Sequence, residues 1–200
     1  MTNVLPFSDA CERNRKPILE ALVDVLPGQG RVLEIGSCTG QHVVFFAPPF
    51  PGLRWQPSDR LEYLEGLSAR IRQEGGANIL EAIELDVMGS WPAARFEAVY
   101  SSNTAHIMNW ESVCAMFGGV GEVLLPGGVF CLYGPFNEGG RFTSQSNEEF
   151  DRSLRARDPD QGIRDLEALE SLARDQQMTF ERQFRLPANN CLLVFRRNEG

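Results

Sequence analysis

Apolar positions along this chain alternate between strand-like runs and helical spacing. Ile18, Leu19, Leu22, Val23 and Leu26 recur at helical intervals, which predicts a helix with one buried face, ended by Pro27-Gly28. Just upstream, Ser8-Asp9-Ala10-Cys11-Glu12 reads as a helix start, with Asp9 and Glu12 spaced as a capping box. Pro17 then suits the first turn of a new helix. Val32, Leu33 and Ile35 form a short apolar run of the kind found in a buried parallel strand. Gly36 and Gly40 punctuate it, Gln41 to Ala47 starts a helix, and Pro48-Pro49-Phe50-Pro51-Gly52 breaks that helix. Leu53 to Gln56 predicts a second strand, with Pro57-Ser58-Asp59 at its end. Leu61, Leu64, Leu67 and Ile71 give an amphipathic helix closed by Gly75-Gly76.

The alternation continues. Ile79 to Leu85 reads as a third strand ending at Asp86-Val87, and Phe96 to Tyr100 as a fourth. Trp110 to Leu124 is a helix with Val113, Phe117, Val120 and Leu124 on one side. Pro126-Gly127-Gly128 turns into a fifth strand, Val129 to Tyr133. Asp165 to Gln176 is the last helix. Thr179 to Leu186 and Cys191 to Arg197 are strands joined by Pro187-Ala188-Asn189-Asn190, a closing hairpin with a tight polar turn. Strands alternating with helices and right-handed crossovers give an α/β, doubly wound sheet. Glu138 to Ile163 is the most polar stretch. Gly139-Gly140 reads as a hinge, and Ser146 or Asn147 as the cap of a helix carrying Phe150 and Leu154. Asn147 and Asp151 share a face of that helix. Arg152, Arg155 and Arg157 are largely neutralised by Asp151, Asp158 and Asp160, so the stretch reads as a lid or substrate wall.

Composition narrows the classes. The 200 residues fit one domain, residues 1–200, with 1–30 as an N-terminal helical lid segment and 137–164 as an insertion in the substrate wall. A net charge of −8 argues against a broad nucleic-acid or anionic-membrane surface. The five cysteines are scattered with no C-x-x-C pair, and His42 and His106 are the two histidines, so no metal site is expected. Dispersed thiols suit a cytoplasmic protein. The N-terminus lacks a signal-peptide pattern, and no apolar run reaches membrane-spanning length. Nothing in the pattern specifies an oligomeric state.

The candidate chemistry starts at Arg31 to His42, R-V-L-E-I-G-S-C-T-G-Q-H. A strand, a glycine turn and a helix make the place where ligands bind in open α/β sheets. A dinucleotide fingerprint is G-x-G-x-x-G with a pyrophosphate on the helix N-terminus. Here the spacing is E-x-G-x-x-x-G, with Glu34 two residues before Gly36. A carboxylate there would repel a pyrophosphate and suit an ammonium group. S-adenosylmethionine (SAM) has that group, carries a sulfonium and has no phosphate, so the pattern favours SAM over NAD.

Further acids stand at strand ends. Asp59 lies 23 residues after Gly36, where a ribose hydroxyl pair finds its acceptor in dinucleotide folds, though an acid there is also a common helix cap. Asp86 followed by Val87 would suit an adenine, the carboxylate taking the exocyclic amine and the valine covering the ring; otherwise Asp86 bonds its own loop. The fourth strand delivers Ser101-Ser102-Asn103-Thr104-Ala105-His106 to the same edge. His106 is the candidate base, since its ordinary pKa lies near neutrality, against a structural reading for a lone histidine. Asn103, Asn137 and Asn147 are candidates to orient an acceptor. Arg13 and Asn14 read either as solvated helix surface or as part of the lid.

This layout, with V-L-E-I-G-S-C-T-G, Asp59 and Asp86-Val87, resembles the class I SAM-dependent methyltransferases. More closely, the chain is similar to the methyltransferase-like protein 26 family, nearly end to end. The resemblance rests on A-C-E-R-N-R-K-P-I-L at Ala10 to Leu19, E-I-G-S-C-T-G-Q-H at Glu34 to His42, and W-Q-P-S-D at Trp55 to Asp59. It continues in Asn103 with His106-Ile107, Y-G-P-F-N at Tyr133 to Asn137, and S-N-E-E-F-D-R-S-L-R-A-R-D-P at Ser146 to Pro159. G-I-R-D at Gly162 to Asp165 and P-A-N-N at Pro187 to Asn190 complete it.

The resemblance implies a Rossmann-like, seven-stranded sheet of order 3-2-1-4-5-7-6 with SAM over the ends of the first strands. It implies a cofactor set of Glu34, Gly36, Ser37, Cys38, Gly40, Asp59, Asp86, Val87, Ser102 and Asn103, and catalytic candidates His106 and Asn103. Asn14, Asn137, Asn147 and Asp151 are the substrate candidates. One position departs: the family usually has glycine where Cys38 stands, and a side chain there would narrow the cofactor site. The function expected is methyl transfer from SAM, leaving S-adenosylhomocysteine, to a small-molecule acceptor. The rivals are a non-catalytic SAM-binding protein and an NAD-linked oxidoreductase, against which Glu34 and the loop spacing speak.

Overall fold

A computed structural model describes residues 5–199. Its first strand, β1 (Gly30–Ile35), runs through the middle of a seven-stranded sheet. Parallel neighbours flank it: β2 (Leu53–Asp59) on one side and β4 (Phe96–Ser102) on the other. Outside β2 lies the short β3 (Ile83–Glu84), and outside β4 lies β5 (Leu124–Gly134). The hairpin of β8 (Met178–Leu186) and β9 (Asn190–Arg197) closes the sheet antiparallel, with β9 beside β5. Two further strands of two residues each, β6 (Phe136–Asn137) and β7 (Arg164–Asp165), pair only with each other. Set apart from them, the main sheet reads β3-β2-β1-β4-β5-β9-β8, the expected order with its last two strands renumbered. No helix among the described residues is long and apolar enough to cross a membrane.

A strand covered on both faces alternates between two cores, and β1 does so. Leu33 and Ile35 enter one core with Phe117, Phe130 and Phe195; Val32 enters the other with Ile18, Leu22, Phe46 and Trp55. The first is covered by α4 (Trp110–Val123) and α6 (Leu166–Asp175), the second by α1 (Asp9–Val23) and α2 (Gln41–Phe46). Glu34 therefore points toward the α1 layer, into a place where its neighbours along the strand are apolar.

Several local expectations change. The N-terminal segment is one helix, with Pro17 inside it, rather than two. A proline removes one helical hydrogen bond, but Ile18, Ala21 and Leu22 are buried against the sheet and carry the helix through. Its cap is Ser8, whose Oγ accepts from the Cys11 N–H at 3.4 Å, rather than a box of Asp9 and Glu12. The third strand is much shorter than Ile79 to Leu85. Pro57 has no N–H to give the ladder, so pairing is interrupted beside it, and the Gln56 side chain donates to the Glu81 carbonyl at 2.6 Å instead. Strand β5 starts five residues early, at Leu124, with Pro126-Gly127-Gly128 taken up in a register shift against Phe96 and Ala98.

In the polar insertion, α5 (Gln145–Arg157) is capped by Ser144, whose Oγ accepts from the Asn147 N–H at 3.1 Å, rather than by Ser146 or Asn147. Gly139-Gly140 is a pinned turn rather than a hinge. Their N–H groups donate to Glu167 and Asp165, at 2.9 and 3.0 Å. The first four residues of the expected lid segment and residue 200 lie outside the described residues.

Two adjacent glycines in α4 test the packing. A Cβ at Gly118 meets nothing within 4 Å, whereas one at Gly119 falls inside the Trp91 indole. That indole donates to the Val87 carbonyl at 3.1 Å, so it props the chain after β3. Gly118→Ala is expected to stabilise the protein by up to about 1 kcal/mol through helix propensity. Gly119→Ala is expected to cost about 1–3 kcal/mol through overpacking. Denaturant titration of the pair checks both signs.

Candidate active site

A cavity of about 740 Å³ opens over the carboxyl ends of β1 to β4. Its floor is the turn after β1, its far end the chain after β3, and its near end the residues after β4. Ser8, Ala10 and Cys11 at the start of α1, with Phe150 of α5 and Asp158 and Asp160 just after that helix, form its walls. Sheet order alone places the residues after β3, β2, β1 and β4 side by side along this edge. Among the described residues no group of three or more His, Cys, Asp or Glu side chains is placed to hold a metal ion.

The turn is glycine-dependent at two points. Gly36 has φ +72°, and a Cβ there would meet Thr104 Cγ2 at 2.7 Å. Gly40 has φ +74°, and its Cβ would press on Leu67 and Arg70 at 3.0 and 3.2 Å. Cys38 takes a left-handed φ of +45° between them. Its N–H donates to Asp59 Oδ2 at 2.6 Å, while Asp59 Oδ1 accepts from the Arg60 N–H at 2.8 Å. Burial raises the Asp59 pKa and those two backbone donors pull it back. The carboxylate is thereby fixed at the cavity edge with a lone pair to spare on each oxygen.

Two buried side chains hold the turn from below, and neither was singled out in the sequence. Arg70 of α3 (Leu61–Glu74) donates from Nε to the Thr39 carbonyl at 2.6 Å, and from its terminal nitrogens to Glu74 and to the Pro6 carbonyl, both at 2.7 Å. Gln41 Oε1 accepts from the Ser8 N–H at 2.6 Å and from the Thr39 hydroxyl at 3.0 Å. The turn, α3 and the start of α1 are thus one hydrogen-bonded assembly. The only signal was an arginine inside the Leu67–Ile71 stripe, which reads as a solvated helix position.

Of the expected cofactor residues, Gly36, Ser37, Cys38, Asp59, Asp86, Val87, Ser102 and Asn103 line the cavity. Asp86 is exposed and its Oδ1 accepts from the Met88 N–H at 2.9 Å; Val87 is buried beside it. Gly40 is not brought to the surface of the cavity, because it caps α2 underneath. Glu34 is also beneath the turn. It accepts from Ser37 Oγ at 2.9 Å, is 2% exposed, and its carboxyl is pushed up to about 8 by burial.

His106 lines the cavity with Asn103 near it. Asn103 sits at φ +58°, a conformation asparagine tolerates, its N–H donating to the Tyr133 carbonyl at 2.8 Å. The His106 ring meets the Phe150 ring edge-on, 5.3 Å between centroids. Burial first, then the nearby Arg164 and Arg157 charges, lower its pKa to about 4, so it is uncharged at neutral pH rather than poised there. The second histidine, His42, also lines the cavity. Its Nε2 lies 2.8 Å from Asn14 Oδ1 and its Nδ1 3.4 Å from the Tyr100 hydroxyl, and burial lowers its pKa to about 4.

The structure does not bring the four substrate candidates into the cavity lining. Asn14 is buried behind His42. Asn137 is buried in β6 with its Oδ1 unpartnered. Asn147 donates to Thr143 Oγ1 and to the Asn189 carbonyl, at 3.0 and 3.1 Å, and so docks α5 on the closing hairpin. Asp151 accepts from the Ile163 N–H at 2.7 Å and from Arg155 at 2.8 Å. The Gly162 N–H in turn donates to the His106 carbonyl at 3.0 Å, so these residues hold the wall rather than face a ligand.

Glu34 gives this assembly a pH signature. Its carboxyl keeps a proton in the fold up to about pH 8, whereas in the unfolded chain it loses it near 4.5. The folded state binds more protons across that window, so this contribution to stability is present at low pH and is lost as pH rises toward 8. Glu34→Gln keeps an acceptor for Ser37 and removes the titration. The difference in thermal midpoint, variant minus parent, is expected to grow by several degrees between pH 4.5 and 8. A difference that stays flat across that range would mean the carboxyl is ionised in the fold.

Known structures share this architecture. The chain superposes on an O-methyltransferase family protein from Burkholderia thailandensis with a TM-score of 0.81 and 15% identity, over 96% of this chain and 58% of that one. The S-adenosylmethionine-dependent methyltransferase SibL matches with a TM-score of 0.79 and 18% identity, over 95% and 56%. The YcgJ protein of Bacillus subtilis matches with a TM-score of 0.73 and 16% identity, over 94% of this chain and 100% of that one. The chain therefore spans somewhat over half the length of the first two, and all of the third. At these identities the likeness is one of fold: an α/β Rossmann-like methyltransferase fold. A family model described as "Protein of unknown function (DUF938)" matches residues 5–197, and the chain belongs to that family.

Proposed function

We propose that this protein is a SAM-dependent methyltransferase acting on a small-molecule acceptor. The observation that carries the reading is Asp59: a carboxylate fixed across the glycine turn by the Cys38 and Arg60 N–H groups, at the edge of a cavity large enough for a nucleoside. A ribose diol needs such an acceptor. The residues present fit the cofactor. Asp86 would take the adenine amine, Val87 would cover its ring, and the turn from Gly36 to Cys38 would carry the amino-acid end. Glu34 acts there through Ser37 rather than by direct contact, since its carboxyl lies beneath the turn. Cys38 stays in the cofactor wall, its backbone engaged with Asp59 and its side chain exposed.

Bound SAM supplies a methyl group activated by its sulfonium. The chain's contribution is orientation, which accounts for much of the acceleration of an in-line transfer. His106 and Asn103 line the end of the cavity that follows β4, and in this reading they are the groups that align the acceptor. An uncharged imidazole accepts a hydrogen bond from an acceptor hydroxyl or amine. With a conjugate acid of about 4 it is a weak base, so orientation is its larger role. Asn137, with its unpartnered oxygen, remains an acceptor candidate, whereas Asn14, Asn147 and Asp151 act through His42 and the wall. The reading includes a single cytoplasmic domain, kinship with the methyltransferase-like protein 26 family, and no nucleic-acid or membrane partner. The net charge of −8 and five free thiols support it.

Calorimetry with SAM, S-adenosylhomocysteine and NAD tests the cofactor. The first two should bind, and Asp59→Ala should weaken them about 10–100-fold, the worth of hydrogen bonds to a charged group. Absence of binding by the parent protein would sink the reading, and binding of NAD alone would replace it with the oxidoreductase. Binding without turnover across a broad acceptor panel would leave a SAM-binding protein. With an acceptor found, His106→Ala should lower kcat and leave SAM affinity intact; unchanged kcat would remove His106 from the acceptor site.

A further inference from the structure

His106 is carried on a single turn, Thr104 to Met108, in which the Ile107 and Met108 N–H groups donate to the Thr104 carbonyl at 3.0 and 3.1 Å. A turn that short offers no partners of its own to its later carbonyls, and carbonyls away from water need them. One segment supplies three. The Gly162 N–H donates to the His106 carbonyl at 3.0 Å. Arg164 Nε donates to the Ala105 carbonyl at 3.0 Å, and one terminal nitrogen donates to the Met108 carbonyl and, at 2.9 Å, to the Asp160 carbonyl. The guanidinium also lies over the Trp110 ring. The main chain on both sides of His106 is thus gathered by residues 162–164.

That segment is itself fixed. The Ile163 N–H donates to Asp151 Oδ1 of α5 at 2.7 Å, and Arg164 pairs with Phe136 in the β6–β7 ladder. Gly162 has φ +150°, and a Cβ there would fall on the Arg155 guanidinium and lie 2.8 Å from Asp151 Oδ1. Helix α5 also sets the Phe150 ring edge-on to the His106 ring. Backbone and ring of His106 therefore both take their place from α5 and the chain that follows it. The partners of Arg164 are main-chain carbonyls rather than carboxylates. A planar guanidinium with donors in several directions can span Ala105 and Met108, whereas an ammonium on a flexible stem cannot hold both in one geometry. Of the charges around the ring, Arg164 and Arg157 add to the effect of burial on His106. Asp158 and Asp160 stand in the cavity wall, Asp151 and Arg155 pair with each other at 2.8 Å, and Cys114 of α4 adjoins Arg164. From β5 the neighbour is Gly134, which brings no titratable group.

We propose that Arg164 is the positioning residue of the acceptor site: by holding the carbonyls on both sides of His106 it fixes the imidazole against Phe150 and keeps bulk water from the ring. This rests on the methyltransferase reading for what His106 does, but not for how His106 is held. The test is nuclear magnetic resonance of the histidine rings in the full chain. In the parent protein the His106 signal, identified by its loss in His106→Gln, should show a through-space contact to the Phe150 ring. It should also stay still between about pH 8 and about pH 5.5. Arg164→Lys keeps the charge and loses the span; Arg164→Gln loses both. In each variant the His106 signal should titrate inside that window, its midpoint raised by at least about one pH unit as the ring gains water. His42 is bonded to Asn14 instead and is also held at about 4 by burial, so its signal should stay still throughout and reports that the variants are folded.

A His106 signal that stays still in Arg164→Lys overturns the positioning role, whatever Arg164→Gln does, because charge alone then accounts for Arg164. Absence of the His106–Phe150 contact in the parent overturns it without any variant. If Arg164→Gln unfolds, His42 titrates as well, and the lysine variant with the parent contact decides. With an acceptor in hand, Arg164→Lys should lower kcat at least about tenfold and leave S-adenosylhomocysteine affinity intact, and adding His106→Ala to it should cost little more. If S-adenosylhomocysteine does not bind the parent, the methyltransferase reading fails, and the ring signals still decide whether Arg164 holds His106.

Discussion

Between Ile35 and Gln41 the backbone must change from strand to helix over the buried end of a sheet, and every polar group it exposes there needs a partner. Asp59 takes the Cys38 N–H, Arg70 takes the Thr39 carbonyl, and Gln41 takes the Thr39 hydroxyl. Each partner comes from a different element: the end of β2, the middle of α3 and the start of α2. The turn is therefore built only when those three elements are docked. Because Arg70 also holds the Pro6 carbonyl, and Gln41 the Ser8 N–H, the start of α1 is set by the same bonds. The cavity floor and one of its walls are consequences of a single satisfied network, and in a buried network every unpaired member is costly.

How far this was legible from the sequence depends on the range of the interactions. The strands with predominantly apolar runs, β1, β4 and β9, need only local pattern to be seen, and the sheet order follows from the crossover rule once they alternate with helices. The strand-end acids Asp59 and Asp86 were visible for the same reason, since the end of a parallel strand is a position in the pattern. The failures are contacts across the chain. Pro57 sits in β2, but its effect is the shortened β3 about twenty-five residues later, where a missing donor cannot be read from the receiving segment. Ser144 rather than Ser146 caps α5 because Ser146 turns its Oγ to Ser144 and to Asn189 on the hairpin. Asn147 and Asp151 were correctly placed on one helix face, but that face meets Asn189 and Ile163 rather than the cavity.

The most consequential difference concerns protons. A histidine and a glutamate in a glycine-turn site invite reading at their ordinary pKa values, the one poised near neutrality and the other ionised. Burial reverses both, lowering His106 to about 4 and raising Glu34 to about 8. At neutral pH the site as folded thus has an uncharged imidazole and a largely protonated carboxyl. That distribution matters for a cationic cofactor. Burial raises the Asp59 pKa and its two backbone donors favour the charged form, whereas Glu34 has no backbone donor among the described residues and must be deprotonated to contribute any attraction. A cation arriving above the turn lowers the cost of that ionisation, and the energy of its binding is partly spent there. The same burial that keeps Glu34 largely protonated at neutral pH means that a positive charge above the turn would favour its ionisation.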